Sequence, residues 1–195
     1  MAVDHTTLWR WVDRYGPELD KRVRHYLRPV GTSWRVDETY IRVAGRWLYL
    51  YRAIDNFGAT VDFYLSETRD EAAATLFLRK ALADVRRVRP PNEIVADGNP
   101  TYPIAVRCLQ REAMLPKSCR LKCSHLQNNL IEQDHRGIQR RADAKQHFRS
   151  IAGARHTIAG YETMHMLRKG QVESCTRGDT VAQAQFVYGV LMLAA

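Results

Sequence analysis

No stretch of this sequence is apolar for long enough to cross a bilayer. The most apolar one, Phe186 to Ala195, falls far short of the ~20 residues a membrane helix needs, so no membrane role follows. Cysteine is scarce: the four present, Cys108, Cys119, Cys123 and Cys175, lack the spacing of a secreted disulfide framework. With no leader read ahead of them, a reducing, cytosolic setting is expected. Cys119-x3-Cys123-x-His125 offers three zinc-ligand types without an evident fourth, and zinc is not expected. Internal repeats and low-complexity tracts are also missing. Acidic side chains are outnumbered, 21 Asp and Glu against 30 Lys and Arg, for a formal charge of +9. That clustered excess favours a polyanionic partner, nucleic acid first. At 195 residues the chain suffices for one well-buried domain with a small appendage.

Residues 4 to 15 place Leu8, Trp11, Val12 and Tyr15 at helical spacing, with Asp4 as N-cap and Thr6, Arg10 and Arg14 on the opposite face. That polar face resembles the reading helix of a helix-turn-helix. Only three residues precede the helix, so the motif reads as cut in half, and several tens of residues are expected upstream. Gly16-Pro17 is expected to end this helix and open another, where Lys21, Arg22, Arg24, His25 and Arg28 accumulate. Residues 1–30 thus read as a basic, DNA-facing arm.

From Ser33 the period changes to two. Trp34–Val43, Trp47–Asp55 and Thr60–Leu65 read as strands of an antiparallel meander. Thr68-x-x-Glu71 has the form of a capping box, and the helix after it carries an apolar stripe from Ala73 to Val85. A fourth strand, Asn92–Ala96, ends at Asp97, a helix follows over 101–110, and Lys117–His125 alternates as a fifth strand before the helix bearing Glu132. The order β-β-β-α-β-α-β-α predicts an α/β fold, a mixed sheet of three antiparallel strands and two more alternating with helices. Two further helical stretches are expected between Asp143 and Gly170, and a terminal helix over Val181–Leu193. The tryptophans at 9, 11, 34 and 47 are expected in the core, with no base-stacking platform.

Carboxylates are seldom placed inside buried strands, yet Asp37 sits in the middle of the first. Asp97 lies at the C-terminal end of the fourth, the rim of an open sheet where ligands bind. If that strand pairs in parallel beside the first, the two aspartates stand side by side, which is costly unless a cation separates them. Glu132 would complete three hard oxygen donors suited to magnesium, with manganese as a substitute. Two such ions would serve in-line attack of water or a hydroxyl on a phosphodiester. Arg136, Arg140 and Arg141 share the helix of Glu132 and would contact phosphates. Neighbouring His135 is expected to pack in support of the site rather than act as a base. Taken singly, Asp37 could instead pair with Arg52, and Asp97 could simply start the Gly98-Asn99-Pro100 turn.

Five motifs occur in order: Trp34-Arg35-Val36-Asp37-Glu38-Thr39-Tyr40, Tyr51-Arg52-Ala53-Ile54-Asp55, Asp97-Gly98-Asn99-Pro100-Thr101-Tyr102, Asn128-Asn129-Leu130-Ile131-Glu132-Gln133-Asp134-His135 and Thr157-Ile158-Ala159-Gly160-Tyr161-Glu162. Between Asp97 and Glu132 lie 132 − 97 − 1 = 34 residues. In these respects the chain resembles transposases of the ribonuclease-H-like Asp-Asp-Glu class, and within it the IS-six group of prokaryotic insertion sequences. The resemblance implies that Asp37, Asp97 and Glu132 are catalytic metal ligands, that DNA is cut and joined at terminal inverted repeats, that target DNA is a second substrate, and that two copies act together as a homodimer. It implies a catalytic domain over 31–170 and a helical tail over 171–195. The group carries Lys or Arg two turns after the catalytic Glu, where this chain has Gln139, with Arg136 or Arg140 as the substitute phosphate contact. The alternatives are a nuclease of the same fold that does not join ends, or an impaired copy that only binds DNA.

Overall fold

The computed structural model describes residues 4–84, 87–124, 128–144 and 148–192. In chain order it contains α1 (His5–Val23), β1 (Ser33–Val43), β2 (Arg46–Asp55), β3 (Thr60–Ser66), α2 (Glu71–Leu82), β4 (Glu93–Ala96), α3 (Thr101–Arg111), β5 (Arg120–Cys123), α4 (Asn129–Ala144), α5 (Ile151–Arg168) and α6 (Thr180–Met192). The sheet has the order β3-β2-β1-β4-β5. Its first three strands are antiparallel, and β4 and β5 run parallel to β1. The predicted mixed sheet therefore forms. β5 is shorter than the alternation suggested, because Cys119 N–H donates to Pro116 O in a turn that takes up the start of that stretch. Val85, His125, Lys145 and Leu193 lie outside the described residues.

Local chemistry accounts for the joints. The β1–β2 turn places Ala44 and Gly45 at φ 49° and 80°, the paired left-handed conformation that matches the twist of a two-residue hairpin. Asp55 closes the β2–β3 turn by accepting from the N–H groups of Phe57 and Ala59, each at 2.9 Å. The cap of α2 is Asp70, whose carboxylate accepts from Ala73 N–H at 2.8 Å. Thr68 lies too far from the first turn for the expected capping box, because a cap must adjoin the first helical residue.

Contacts divide the chain into two compact units, residues 1–28 with 143–195, and residues 29–142. The second holds the sheet. Trp34, Val36, Phe77, Ile94, Tyr102 and Leu109 join strands β1 and β4 to helices α2 and α3 in one core. Each such buried side chain contributes roughly 1.5–3 kcal/mol. The segment 143–170, read from sequence as part of the catalytic domain, clusters with α1 in the first unit.

In that first unit α1 runs unbroken through Gly16-Pro17, contrary to the expected break. A Cβ on Gly16 would lie 2.6 Å from His156 O, so glycine lets α1 cross closely over α5. That packing offsets the bond lost at Pro17. Gly16, Leu19 and Val23 form the buried stripe of α1, while Leu8, Trp11, Val12 and Tyr15 are exposed along with Thr6, Arg10 and Arg14. Of the two helical stretches expected between Asp143 and Gly170, the described residues hold the end of α4 and the single helix α5, and 145–147 lie outside the described residues. Of the four tryptophans expected in the core only Trp34 is buried; Trp9, Trp11 and Trp47 are about half exposed. Among the described residues no helix is long and apolar enough to cross a membrane.

Candidate active site

Side chains alternate along β1. Val36 faces the core under α2 and α3, and so does Glu38, which accepts from Tyr102 of α3. Asp37 and Thr39 face the other way, toward α4. Parallel pairing of β4 sets Ser33, Trp34 and Arg35 against Glu93, Ile94 and Val95. Extended two residues further, the same register aligns Asp97 with Asp37.

Helix α4 is fastened to this face at several points. Asn128, just before it, donates through Nδ2 to Val36 O at 3.3 Å. One turn later comes Glu132, exposed, at helical spacing with the His135 and Gln139 that follow it. Asp134 accepts from Arg52 Nη2 at 2.7 Å, with the arginine fully buried. Arg52 is the cross-strand partner of Asp37, but this contact takes its guanidinium to α4. His135, buried, holds Nδ1 3.5 Å from Asp37 Oδ2. Gln139 donates to Thr39 Oγ1, so the position where the group carries a cation serves here as a tie to β1.

The loop after β4 is equally constrained. Gly98 has φ 104°, a conformation that a side chain would strain. Asn99 N–H donates to Asp97 Oδ1 at 3.0 Å, so Asp97 does start the turn. Asn99 Oδ1 in turn accepts from Thr101 N–H at 3.0 Å. The side chain that locks the loop to β1 is Glu38. It accepts from Asn99 Nδ2 at 2.6 Å, Arg69 Nε at 2.5 Å and Tyr102 Oη at 2.9 Å. Burial, then the charge of Glu38, holds the Tyr102 phenol well above its ordinary range. Sequence reasoning gave Glu38 and Asn128 no role. The available signal for Glu38 was a second carboxylate at a strand position of the opposite parity.

Asp37 has the contrasting environment. Burial first, then the negative charge of Asp97, with Glu38 and Glu132 adding to it, pushes its carboxyl from 3.8 up to about 7. Three hard oxygen donors whose repulsion a divalent cation would relieve suit magnesium or manganese. They stand at electrostatic rather than ligating range: among the described residues no three His, Cys, Asp or Glu side chains are already gathered closely enough to grip an ion.

The other candidate residues are placed as follows. Arg136 and Arg140 are exposed on α4, and the side chain of Arg141 lies outside the described set. Thr6, Arg10, Arg14, Lys21 and Arg22 belong to the other compact unit. There Lys21 is exposed, whereas Arg22 pairs with Glu18 at 2.5 Å and donates to Val190 O at 2.8 Å.

A family model described as a DDE domain matches residues 31–171. Transposases for the insertion sequence-like element IS431mec of Staphylococcus aureus (strain Mu50) and for the element IS257 in transposon Tn4003 of Staphylococcus aureus are each 36% identical over 167 residues, 86% of this chain and 71% of theirs. Among solved structures, the HTLV-2 integrase catalytic core in complex with magnesium aligns at TM-score 0.52 and 11% identity, covering 81% of this chain and 97% of that one. The catalytic core of BIV integrase aligns at TM-score 0.51 and 12% identity, covering 84% and 97%. These two likenesses establish the fold as that of an integrase catalytic core. The family match and the 36% identical relatives make this chain a member of the DDE transposases, in the IS-six group of insertion sequences.

Proposed function

We propose that this DDE transposase cuts and joins DNA strands at the terminal inverted repeats of an insertion sequence, with Asp37, Asp97 and Glu132 as the carboxylates that hold its divalent ions. The observation that carries the assignment is the parallel pairing of β4 on β1 as far as Arg35 with Val95, a register that, carried two residues further, brings Asp97 level with Asp37. The α4 anchor at Asn128 supports it by fixing the start of the helix to the backbone immediately before Asp37.

Each residue has a separable task. Glu38, through Asn99, holds the Asp97 loop against β1. His135 limits the positions open to the Asp37 carboxylate. Arg136 and Arg140, exposed on the helix of Glu132, bind phosphates of the strand being processed. When bound, two magnesium or manganese ions would lower the pKa of the attacking hydroxyl and balance the charge on the leaving oxygen. In the first unit, the exposed Thr6, Arg10, Arg14 and Lys21 meet DNA outside the catalytic centre, and Arg22 steadies α1. Residues 1–30, 31–170 and 171–195 act as DNA-binding arm, catalytic domain and tail. The exposed Val181, Tyr188 and Met192 of α6 give a second copy an apolar surface for a homodimer working on DNA in the prokaryotic cytoplasm.

The test incubates the protein with labelled end oligonucleotides and target DNA, with and without Mg²⁺. Joined product is expected only with the metal. Cleavage without joining would favour the nuclease reading, and joining by Asp97→Asn would refute the assigned carboxylates.

A further inference from the structure

The β1–β2 hairpin extends beyond the rest of its sheet. β4 flanks β1 only from Ser33 to Arg35, and β3 stops opposite Tyr49, so the turn end of the hairpin stands as a two-stranded ribbon. One face of that ribbon buries Ile41, Val43 and Leu48, which anchor it. The opposite face pairs Tyr40 with Tyr49 and Arg42 with Trp47 across the strands. Such pairs help to hold a hairpin. Here they also leave apolar area in solvent, with Tyr40 49% and Trp47 56% exposed.

The geometry is that of a small cationic platform. The Tyr40 and Trp47 rings lie 6.2 Å apart edge to face, and those of Tyr40 and Tyr49 5.3 Å apart. The Arg42 guanidinium stands 5.7 Å over the Trp47 ring, and Arg69 Nη1 donates to Tyr40 Oη at 3.4 Å. Arg69 also holds Glu38, which holds the Asp97 loop, so the platform is linked to the carboxylate site through two side chains.

We propose that Tyr40, Arg42 and Trp47 form a stacking site for unpaired bases at the end of the DNA strand being processed. Resting on the transposase reading above, this names the state in which the end is held. Flat exposed rings need a base face, which an intact duplex hides within its stack, whereas phosphates alone would need only cations. The arginines supply charge complementary to the backbone that carries those bases. A second copy of the chain would be expected to match the rings but not the guanidinium of Arg42, which stands over the Trp47 ring and, among the described residues, meets no carboxylate.

The test is made in EDTA, where binding is read without catalysis. Fluorescence anisotropy compares an end duplex paired to its terminus with the same duplex carrying three unpaired terminal nucleotides. The native chain should prefer the frayed end. Trp47→Ala should cost that end about 10-fold in affinity, within the range of one lost base stack, and leave the paired duplex within about twofold. Trp47→Phe should restore most of the loss, and Arg42→Gln should reproduce part of it. Equal losses on both duplexes, no loss on either, or a changed sedimentation coefficient without a DNA effect would overturn the proposal. Joining is scored separately with Mg²⁺. Its absence in the native chain would remove the transposase reading while leaving the binding comparison intact.

Discussion

Asp37 and Glu38 are neighbours in the chain and stand in opposite electrostatic settings. Glu38, on the α2 and α3 face, receives three donors from three different segments, Arg69, Asn99 and Tyr102. Asp37, on the α4 face, meets the negative charge of Asp97 and Glu132 instead, with His135 Nδ1 3.5 Å away. One peptide step reverses the face, and the face decides whether the fold satisfies a carboxylate or leaves it needing a cation. The satisfied one organises structure, and the crowded one is the place to look for chemistry.

That contrast can be tested to destruction. The largest effect is expected on activity: Asp97→Asn or Asp37→Asn should lower strand joining by on the order of 10³-fold or more, since several kcal/mol of charge stabilisation disappears. Gel-shift binding to the same ends should persist, and a variant that still joins would end the assignment.

Next in size is the buried pair behind the site. Asp134→Ala leaves the fully buried Arg52 guanidinium without this carboxylate. A loss of about 3–5 kcal/mol follows, measurable as a lower urea midpoint at unchanged slope. A shift of only a few tenths would mean the pair contributes little.

The two neighbouring carboxylates should then respond with opposite signs. Because the Asp37 carboxyl titrates near 7 in the fold and at 3.8 when unperturbed, the stability it contributes is fully present below about 4 and is lost as pH rises through about 7. In chelator the protein should weaken over that window by up to about 4 kcal/mol, and Mg²⁺ should recover part of the loss. Asp37→Asn should therefore raise the melting temperature at pH 8 in EDTA while abolishing joining. A flat melting profile from pH 4 to 8 would contradict the crowding of these carboxylates.

Glu38→Gln keeps the shape and removes the charge that Arg69 and Asn99 address. A loss of about 2 kcal/mol is expected, with a reduced joining rate as the Asp97 loop loosens. If Glu38→Gln stabilised the protein as Asp37→Asn does, the distinction between the two faces would disappear.

Much of this was legible in the chain. Two-residue alternation marked β1, β2 and β3 to within a residue or two, because a half-buried strand must alternate. Asp37 and Asp97 stood out because carboxylates rarely sit where strand patterning placed them. Less legible was α1, where Gly16-Pro17 looked like a stop and proved to be a crossing point for α5. The tryptophans misled for a related reason. Periodicity identifies a face, and whether anything covers that face depends on segments far away in sequence, which is why Trp47 on the free ribbon and Trp11 on α1 stand exposed although their spacing predicts burial.

By itself the sequence determined the strands and their order, the excess of positive charge and the three carboxylates with their spacing, since each is a local or compositional property. Only the tertiary structure decided that β4 lies parallel beside β1, that Glu38 rather than a cation fastens the Asp97 loop, that Arg52 turns to Asp134, and that the hairpin leaves a cationic aromatic face in solvent. Those outcomes depend on pairing register and on which faces meet across many residues of chain, and no short window of sequence contains that information.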